Sequence, residues 1–399
     1  MTQYDAIVVG LGAFGSAALY HLANAGHRVL GIDRDHPPHK LGSSHGETRI
    51  TRAAIGEGVE YSQLAIRSNV LWRALEAKSG ETLLRQCGCF LISGPGAPQT
   101  HGVDGFFDNV RAAARQHGIA LTEFASGSAI RARYPQFAAA EKEQGLLDPA
   151  GGFLFPERCI AAQLELARGC GATLALNRVV VGYREGPDGV SVSTDDGEVH
   201  SAAKLLITAG AWASRLAGEA LSVHAKVTRQ VLHWFEITGR AERFDPAACP
   251  TYIWQVDRPS VLYGFPLVGE ASTGVKIAHE EDHGAVDPDT VSRTATAAES
   301  AYMYETYVRP FFPDLGPRCL RTEVCLYTRI ERARFVIDWR PGSKRVLFAS
   351  PCSGHGFKHS AAVGEALAEM LVSGAPSQVD LSPFSLESLR RIIDASRAV

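Results

Sequence analysis

The feature that most constrains this chain is Gly10-Leu11-Gly12-Ala13-Phe14-Gly15, set between a β-branched run and a helix-forming stretch. Ala6-Ile7-Val8-Val9 predicts a buried parallel strand, and Ala17–Ala25 predicts helix up to Gly26. Arg28–Ile32 predicts a second strand ending on Asp33, 23 residues after Gly10. Strand, tight turn, helix, strand and acidic residue is the order a dinucleotide-binding fold requires. The glycines permit the turn and let the backbone approach a pyrophosphate, whose charge is favoured at a helix N-terminus. Asp33 is placed to accept hydrogen bonds from the ribose hydroxyls. The motif does not separate FAD from NAD, but its position at residue 10 leans toward FAD.

At about 150 residues per domain, a length of 399 residues implies two or three domains or one large α/β enzyme. With 45% hydrophobic and 21% charged residues the chain can bury a core, which argues against disorder. A net charge of −3 gives no pull toward nucleic acid or an anionic membrane. No apolar run approaches the roughly 20 residues of a membrane span, and Met1–Asp5 lacks the basic n-region of a signal peptide. A cytoplasmic globular enzyme is expected. The eight cysteines show no zinc spacing, so no metal site and no disulfide framework is expected, and most should pack as small hydrophobes.

Downstream, Gly42–Arg52 contains His45, Arg49 and Arg52. Two readings stay open: a solvated loop, or two arginines one turn apart that point with His45 at an anionic group. Residues 62–77 have helical periodicity. Gly169–Ala175, Val179–Tyr183, Val190–Thr194 and Leu205–Thr208 read as strands, the last buried and ending in a small-residue turn. Val227–Thr238, Thr251–Val256, Ser260–Pro266 and Thr273–His279 read as antiparallel strands, and Asp287 starts a predicted helix through Tyr307. Strand Val346–Ala349, the turn Gly354–Lys358 and helix Ser360–Val372 close the pattern. The fold class is α/β (α+β overall): a Rossmann-like FAD-binding domain from 1–85, 150–220 and 322–390, interleaved with an antiparallel-sheet substrate domain from 86–149 and 221–321.

These motifs, in this order, resemble the monomeric sarcosine oxidase family of flavoproteins, which includes N-methyltryptophan oxidase and pipecolate oxidase. The carriers are Gly10–Gly15 with Asp33, His45–Ile50, Gly56-Glu57-Gly58, Tyr263–Pro266, Gly274-Val275-Lys276, Asp287–Thr290, Val324–Thr328, Phe335–Asp338 and Ser353–Lys358. The resemblance implies FAD joined through its 8α-methyl group to Cys325, and Lys276 over the flavin as the oxygen-activating cation. It implies that Arg52 and Lys358 pair with a substrate carboxylate, that Arg49 sits against the flavin, and that Tyr263, Tyr327 and His355 wall the amine. It places Gly10, Gly12, Ala13, Phe14, Gly15, Asp33 and Arg34 on the cofactor, with Ser43, Ser44, Arg49 and Ile50. Val179, Ala209, Gly210 and Trp212 join them, as does the turn Gly354, His355, Gly356, Phe357 and Lys358.

The implied activity is oxidation of a secondary (N-methyl or cyclic) amino acid by molecular oxygen to an imine and hydrogen peroxide, by a monomer with no nucleic-acid or membrane partner. Alternatives of the same fold are a dehydrogenase using another electron acceptor, and an oxidase of pipecolate or glycated amino acids. Two positions depart from the family pattern. Ser44-His45 stands where a double histidine is usual, and Glu280 stands at the fourth position after Lys276, where a histidine is common, with His279 one residue earlier.

Overall fold

The computed structural model describes residues 3–94, 103–256, 261–280, 282 and 284–397. Among these residues the strands form two eight-stranded sheets and one three-stranded sheet. The first sheet is centred on Gln3–Val9, which pairs in parallel with Val29–Asp33 on one side and Val199–Ile207 on the other. Thr173–Leu176 extends it in parallel beyond Val29–Asp33, and Val346–Ser350 beyond Val199–Ile207. Ala6, Ile7, Val8 and Val9 are all buried, the unbroken apolar pattern of a strand covered on both faces.

Helix Ala13–Asn24 follows the first strand and packs against helices Pro156–Gly169 and Ser360–Ser373. A Cβ built on Gly364 would lie 2.2 Å from the Ala17 Cβ, so Ser360–Ser373 and Ala13–Asn24 approach closely only because residue 364 has no side chain. Leu19, Leu22, Leu64, Trp72 and Leu367 fill the core around them.

The second sheet runs Leu315–Ile330, Ala225–Ile237, Val275–His279, Val261–Gly264, Thr251–Gln255, Cys89–Ser93, Gln144–Asp148 and Thr122–Phe124. It is antiparallel except where Thr251–Gln255 meets Cys89–Ser93. Register decides which side chains share a face: Trp234 lies opposite Lys276, Tyr263 opposite Ala278, and Gln230 opposite Cys325. With side chains alternating along each strand, one face carries Trp234, Tyr263, Lys276, Ala278, Cys325 and Tyr327. The other presents Phe235, Val275 and Ile277 to an aromatic core with Phe137, Trp254 and Phe312.

Several sequence expectations need correction. Arg49–Thr51 is a strand of the small sheet, paired with Gly152–Leu154, so Arg49 and Arg52 are not one helical turn apart. Asp287 does not start a helix: the Asp289 N–H is bonded to the Asp287 Oδ1 at 2.8 Å in a turn, and helix begins at Ala297 behind a Thr296–Glu299 capping box. Residues 169–175 contain the end of helix Pro156–Gly169 and the start of strand Thr173–Leu176, with Pro156 in the first helical turn. A domain boundary at 322 falls inside strand Leu315–Ile330, which pairs along its length with Ala225–Ile237. Ser260 lies outside the described residues. Four of the eight cysteines are buried, Cys170 is exposed, and Cys87, Cys319 and Cys352 are partly covered.

Candidate active site

A cavity of about 340 Å³ is lined from both large sheets and the small one. The residues around the Gly-rich turn come first. Gly10 and Gly12 line the cavity, and a Cβ on Gly12 would meet only the Ser44 Oγ, at 3.6 Å. Helix Ala13–Asn24 has no side-chain N-cap and no acid in its first turn. Its positive end therefore faces the cavity with no acid in its own first turn, the Ala13 N–H lying 3.4 Å from the Ser44 Oγ. Gly15 serves packing instead: a Cβ there would lie 1.8 Å from the Gly10 carbonyl oxygen. Asp33 accepts hydrogen bonds from the N–H of Leu11 at 2.7 Å and of Asp35 at 3.0 Å, which pins the turn to the second strand.

Around Asp33, Arg34 lies over the Trp212 ring at 4.5 Å. Asp289 accepts from Trp212 Nε1 at 2.7 Å and Arg34 Nη1 at 2.9 Å, and pairs with Arg215. Hydrogen bonds from Arg215 and Trp212 hold the Asp289 carboxyl far below its usual range. Arg34, Ser43, Ser44, Val179, Ala209 and Gly210 line the cavity with Trp212. A helix N-terminus with no acid in its first turn, a side-chain-free Gly12 and a carboxylate at the end of the second strand are a donor and acceptor set that fits FAD.

A second group surrounds Lys276. Its buried Nζ donates to the carbonyls of Gly46 at 2.6 Å and Thr48 at 2.7 Å, and to the Thr48 hydroxyl at 3.1 Å. Three acceptors match the three protons of an ammonium. Burial, with Arg49 adding, pushes its pKa well below the usual lysine range. Arg49 donates to the carbonyls of Thr48 at 2.9 Å and Ser43 at 2.8 Å. Burial pushes the Cys325 thiol up, while Arg49 and Lys276 pull against it. Cys325 and Lys276 stand on the same sheet face but do not line the cavity, whereas Cys352 does.

The third group holds the remaining residues. The hydroxyls of Tyr263 and Tyr327 are 3.1 Å apart. Lys358 is buried and donates from Nζ to the His355 carbonyl at 2.6 Å, and burial lowers its pKa to about 7. His355 stacks on Phe335 at 4.7 Å, its Nε2 2.8 Å from the Ala333 carbonyl oxygen. Tyr263, Tyr327, Lys358, His355, Arg49 and Ile50 all line the cavity. So do Gly354, Gly356 and Phe357, which lead into helix Ser360–Ser373, and the edge formed by Ala13 and Phe14.

Arg52 and His45 are each paired with a carboxylate of the chain. Arg52 is bound to the Glu57 carboxylate, with Nη2 at 2.6 and 2.8 Å from its two oxygens, and to the Ala54 carbonyl at 2.8 Å. Arg52 and Glu57 both line the cavity, so this ion pair forms part of its wall. His45 is bonded to the Glu323 Oε2 at 3.2 Å, so it does not join Arg49 and Arg52. Asp289, Arg178, Arg215, Glu57 and Cys352 line the cavity without having been assigned roles. The segments Asp287–Thr290 and Gly56–Gly58 were the only signal for Asp289 and Glu57. Among the described residues no group of three or more His, Cys, Asp or Glu could hold a metal, and no helix is long and apolar enough to cross a membrane.

Comparison with known proteins places this geometry. A family model described as FAD dependent oxidoreductase matches residues 5–370. Monomeric sarcosine oxidase from Bacillus sp. (strain B-0618) is 34% identical over 387 residues, 96% of each chain. N-methyl-L-tryptophan oxidase from Yersinia pestis (strain Pestoides F) is 33% identical, over 97% of this chain and 100% of its own. Among solved structures, NikD, an unusual amino acid oxidase essential for nikkomycin biosynthesis, superposes with a TM-score of 0.81 at 23% identity, covering 96% of this chain and 98% of that one. L-proline dehydrogenase from P. horikoshii superposes with a TM-score of 0.76 at 18% identity, covering 98% of both chains. These last two likenesses bear on the fold alone.

Proposed function

The chain belongs to the FAD-dependent oxidoreductase family, and from that premise we propose that it oxidises secondary amino acids with molecular oxygen. The observation that carries this reading is that one cavity joins the Gly10–Gly12 turn to Tyr263, Tyr327 and Lys358. FAD, when bound, supplies the two-electron acceptor. The N-alkyl amino acid becomes an imine, which water hydrolyses, and oxygen becomes hydrogen peroxide.

The chain's own residues do the rest. Lys358, when protonated, binds the substrate carboxylate, and its charge favours the neutral form of the nearby amine. Arg52 is close enough to the cavity to contribute once its pairing with Glu57 is shared. The Tyr263–Tyr327 pair positions the nitrogen. Lys276, held by Gly46 and Thr48, serves when protonated as the cation for oxygen reduction. Gly10, Gly12, Asp33, Arg34, Ser44 and Trp212 hold the dinucleotide, Arg49 the isoalloxazine, and Cys325 its covalent link. The first sheet serves as the FAD-binding domain, the second as the substrate domain, and the enzyme acts as a cytoplasmic monomer.

The test is a peroxide-coupled screen of sarcosine, other N-methyl amino acids, pipecolate, proline and glycated amino acids. Turnover with peroxide release is expected. Rapid anaerobic bleaching followed by slow reoxidation in air would make the protein a dehydrogenase, and no bleaching by any of them would overturn the reading.

A further inference from the structure

We propose that Glu157 is a positioning residue for Lys276: from the first turn of helix Pro156–Gly169 it fixes the turn whose carbonyl oxygens bind the lysine ammonium. This rests on the reading of Lys276 as the cation for oxygen reduction and names the group that holds it in place.

Hydrogen bonding is the first support. The Glu157 Oε1 accepts from two successive backbone N–H groups, Gly46 at 2.7 Å and Glu47 at 3.1 Å. The same stretch turns its carbonyls to the lysine: Gly46 and Thr48 accept from Lys276 Nζ at 2.6 and 2.7 Å. Residues 46–48 thus lie between a carboxylate of helix Pro156–Gly169 and an ammonium of strand Val275–His279. Such charge-assisted bonds to backbone groups are stronger than neutral ones.

Backbone strain is the second support. The Thr48 N–H donates to the Gly46 carbonyl at 2.8 Å and closes a three-residue turn. Its central residue, Glu47, has a left-handed φ of 72°, that of the rare and strained form of the γ-turn. Gly46 has a φ of 96°, and a Cβ there would lie 2.5 Å from Leu232 Cδ1. A turn of this kind persists only where its surroundings over-determine it. Glu157 does so at the N–H groups, and Trp234 Nε1 does so by donating to the Glu47 Oε2 at 2.9 Å.

Charge is the third support. Burial pushes the Lys276 pKa well below its usual range and Arg49 deepens the fall, whereas the carboxylates of Glu47 and Glu157 oppose it. The other titratable or charged groups around this ammonium are Cys325, Arg321 over the Trp234 ring at 4.3 Å, and the His45–Glu323 pair next to Gly46. A place in the first turn of its helix favours the ionised form of Glu157. One side chain therefore holds the acceptors of the ammonium and supplies part of the charge that keeps it protonated.

The experiment uses the purified holoenzyme carrying ¹³Cε-labelled lysine, with the Lys276 signal identified by its loss in Lys276→Met. Glu157→Gln keeps an oxygen for the two N–H groups and removes the charge. It should lower the Lys276 titration midpoint by about one pH unit, the effect of one nearby charge. Glu157→Ala removes the acceptor as well and should lower the midpoint further. Stopped-flow reoxidation by air should slow about tenfold in Glu157→Ala, the worth of a hydrogen bond to a charged group. The same substitution should add nothing in a Lys276→Met background. A midpoint unmoved in both variants, or equal slowing with and without Lys276, overturns the proposal. If Lys276→Met reoxidises as fast as the wild type, the oxygen role of Lys276 falls. The midpoint then decides by itself whether Glu157 holds the lysine.

Discussion

Arg52 donates to both oxygens of Glu57, at 2.6 and 2.8 Å, and neither side chain is more than 1% exposed. Removing the carboxylate leaves a buried guanidinium without its counter-charge. Glu57→Ala should therefore lower stability by about 3–5 kcal/mol, measured by urea denaturation. The orphaned cation should then seek another anion. Acetate should raise the melting temperature of Glu57→Gln more than that of the wild type. Equal shifts would mean that Arg52 does not bind an anion from the cavity it lines.

Lys358 carries a testable pH dependence. Burial lowers its pKa to about 7, against about 10.4 in an unfolded chain. Below pH 7 the lysine is charged in both states and the full desolvation cost opposes folding. As pH rises from about 7 to 10.4 the unfolded state binds more protons, so this group's contribution to stability increases. Ligand binding moves the other way: affinity for a carboxylate should fall as pH rises through about 7. Lys358→Met should flatten both profiles.

Lys276 predicts a split between the two half-reactions. Lys276→Met keeps an apolar stem beside Phe265 and Trp234, which lie 4.4 and 5.6 Å from the native Nζ. Loss of a fixed charge at a developing anion costs about 10²–10³-fold. Stopped-flow reoxidation by air should slow by that order while anaerobic bleaching by substrate changes little. Equal losses in both would assign Lys276 to structure.

Cys325 is fully buried beside Arg49 and Lys276. Acid precipitation of the wild type should leave yellow colour in the pellet, and Cys325→Ala should release it to the supernatant. Colour retained in Cys325→Ala but lost in Cys352→Ala would move the link to the cysteine that lines the cavity.

Gly12 and Gly15 should behave differently although they belong to one motif. A Cβ at residue 15 collides with the Gly10 carbonyl at 1.8 Å, whereas one at residue 12 meets only the Ser44 hydroxyl at 3.6 Å. Gly15→Ala should cost about 1–3 kcal/mol or more of stability. Gly12→Ala should melt like the wild type without cofactor yet retain less FAD, read from the ratio of flavin to protein absorbance.

Read from the amino acids alone, Ala6–Val9, Gly10–Gly15 and Asp33 already specify strand, turn, helix and strand, because each signal lies within about 30 residues and depends on local geometry. The apolar run Leu205–Ile207 marked a buried strand, and only the folded chain sets it beside the first one. Tertiary structure alone decided the pairing of Arg52 with Glu57, the burial of His45 against Glu323, and the standing of Cys325 and Tyr327 on the second sheet. It also decided that Glu280 and not His279 faces the cavity, since only pairing with Val261–Gly264 sets which face of that strand is inward. Periodicity tells which residues share a face, but which faces meet is settled by contacts between distant segments, and local sequence does not encode them. The opening motif thus identified the dinucleotide end of the site, while the charges at the substrate end were matched by residues that only the folded chain brings together.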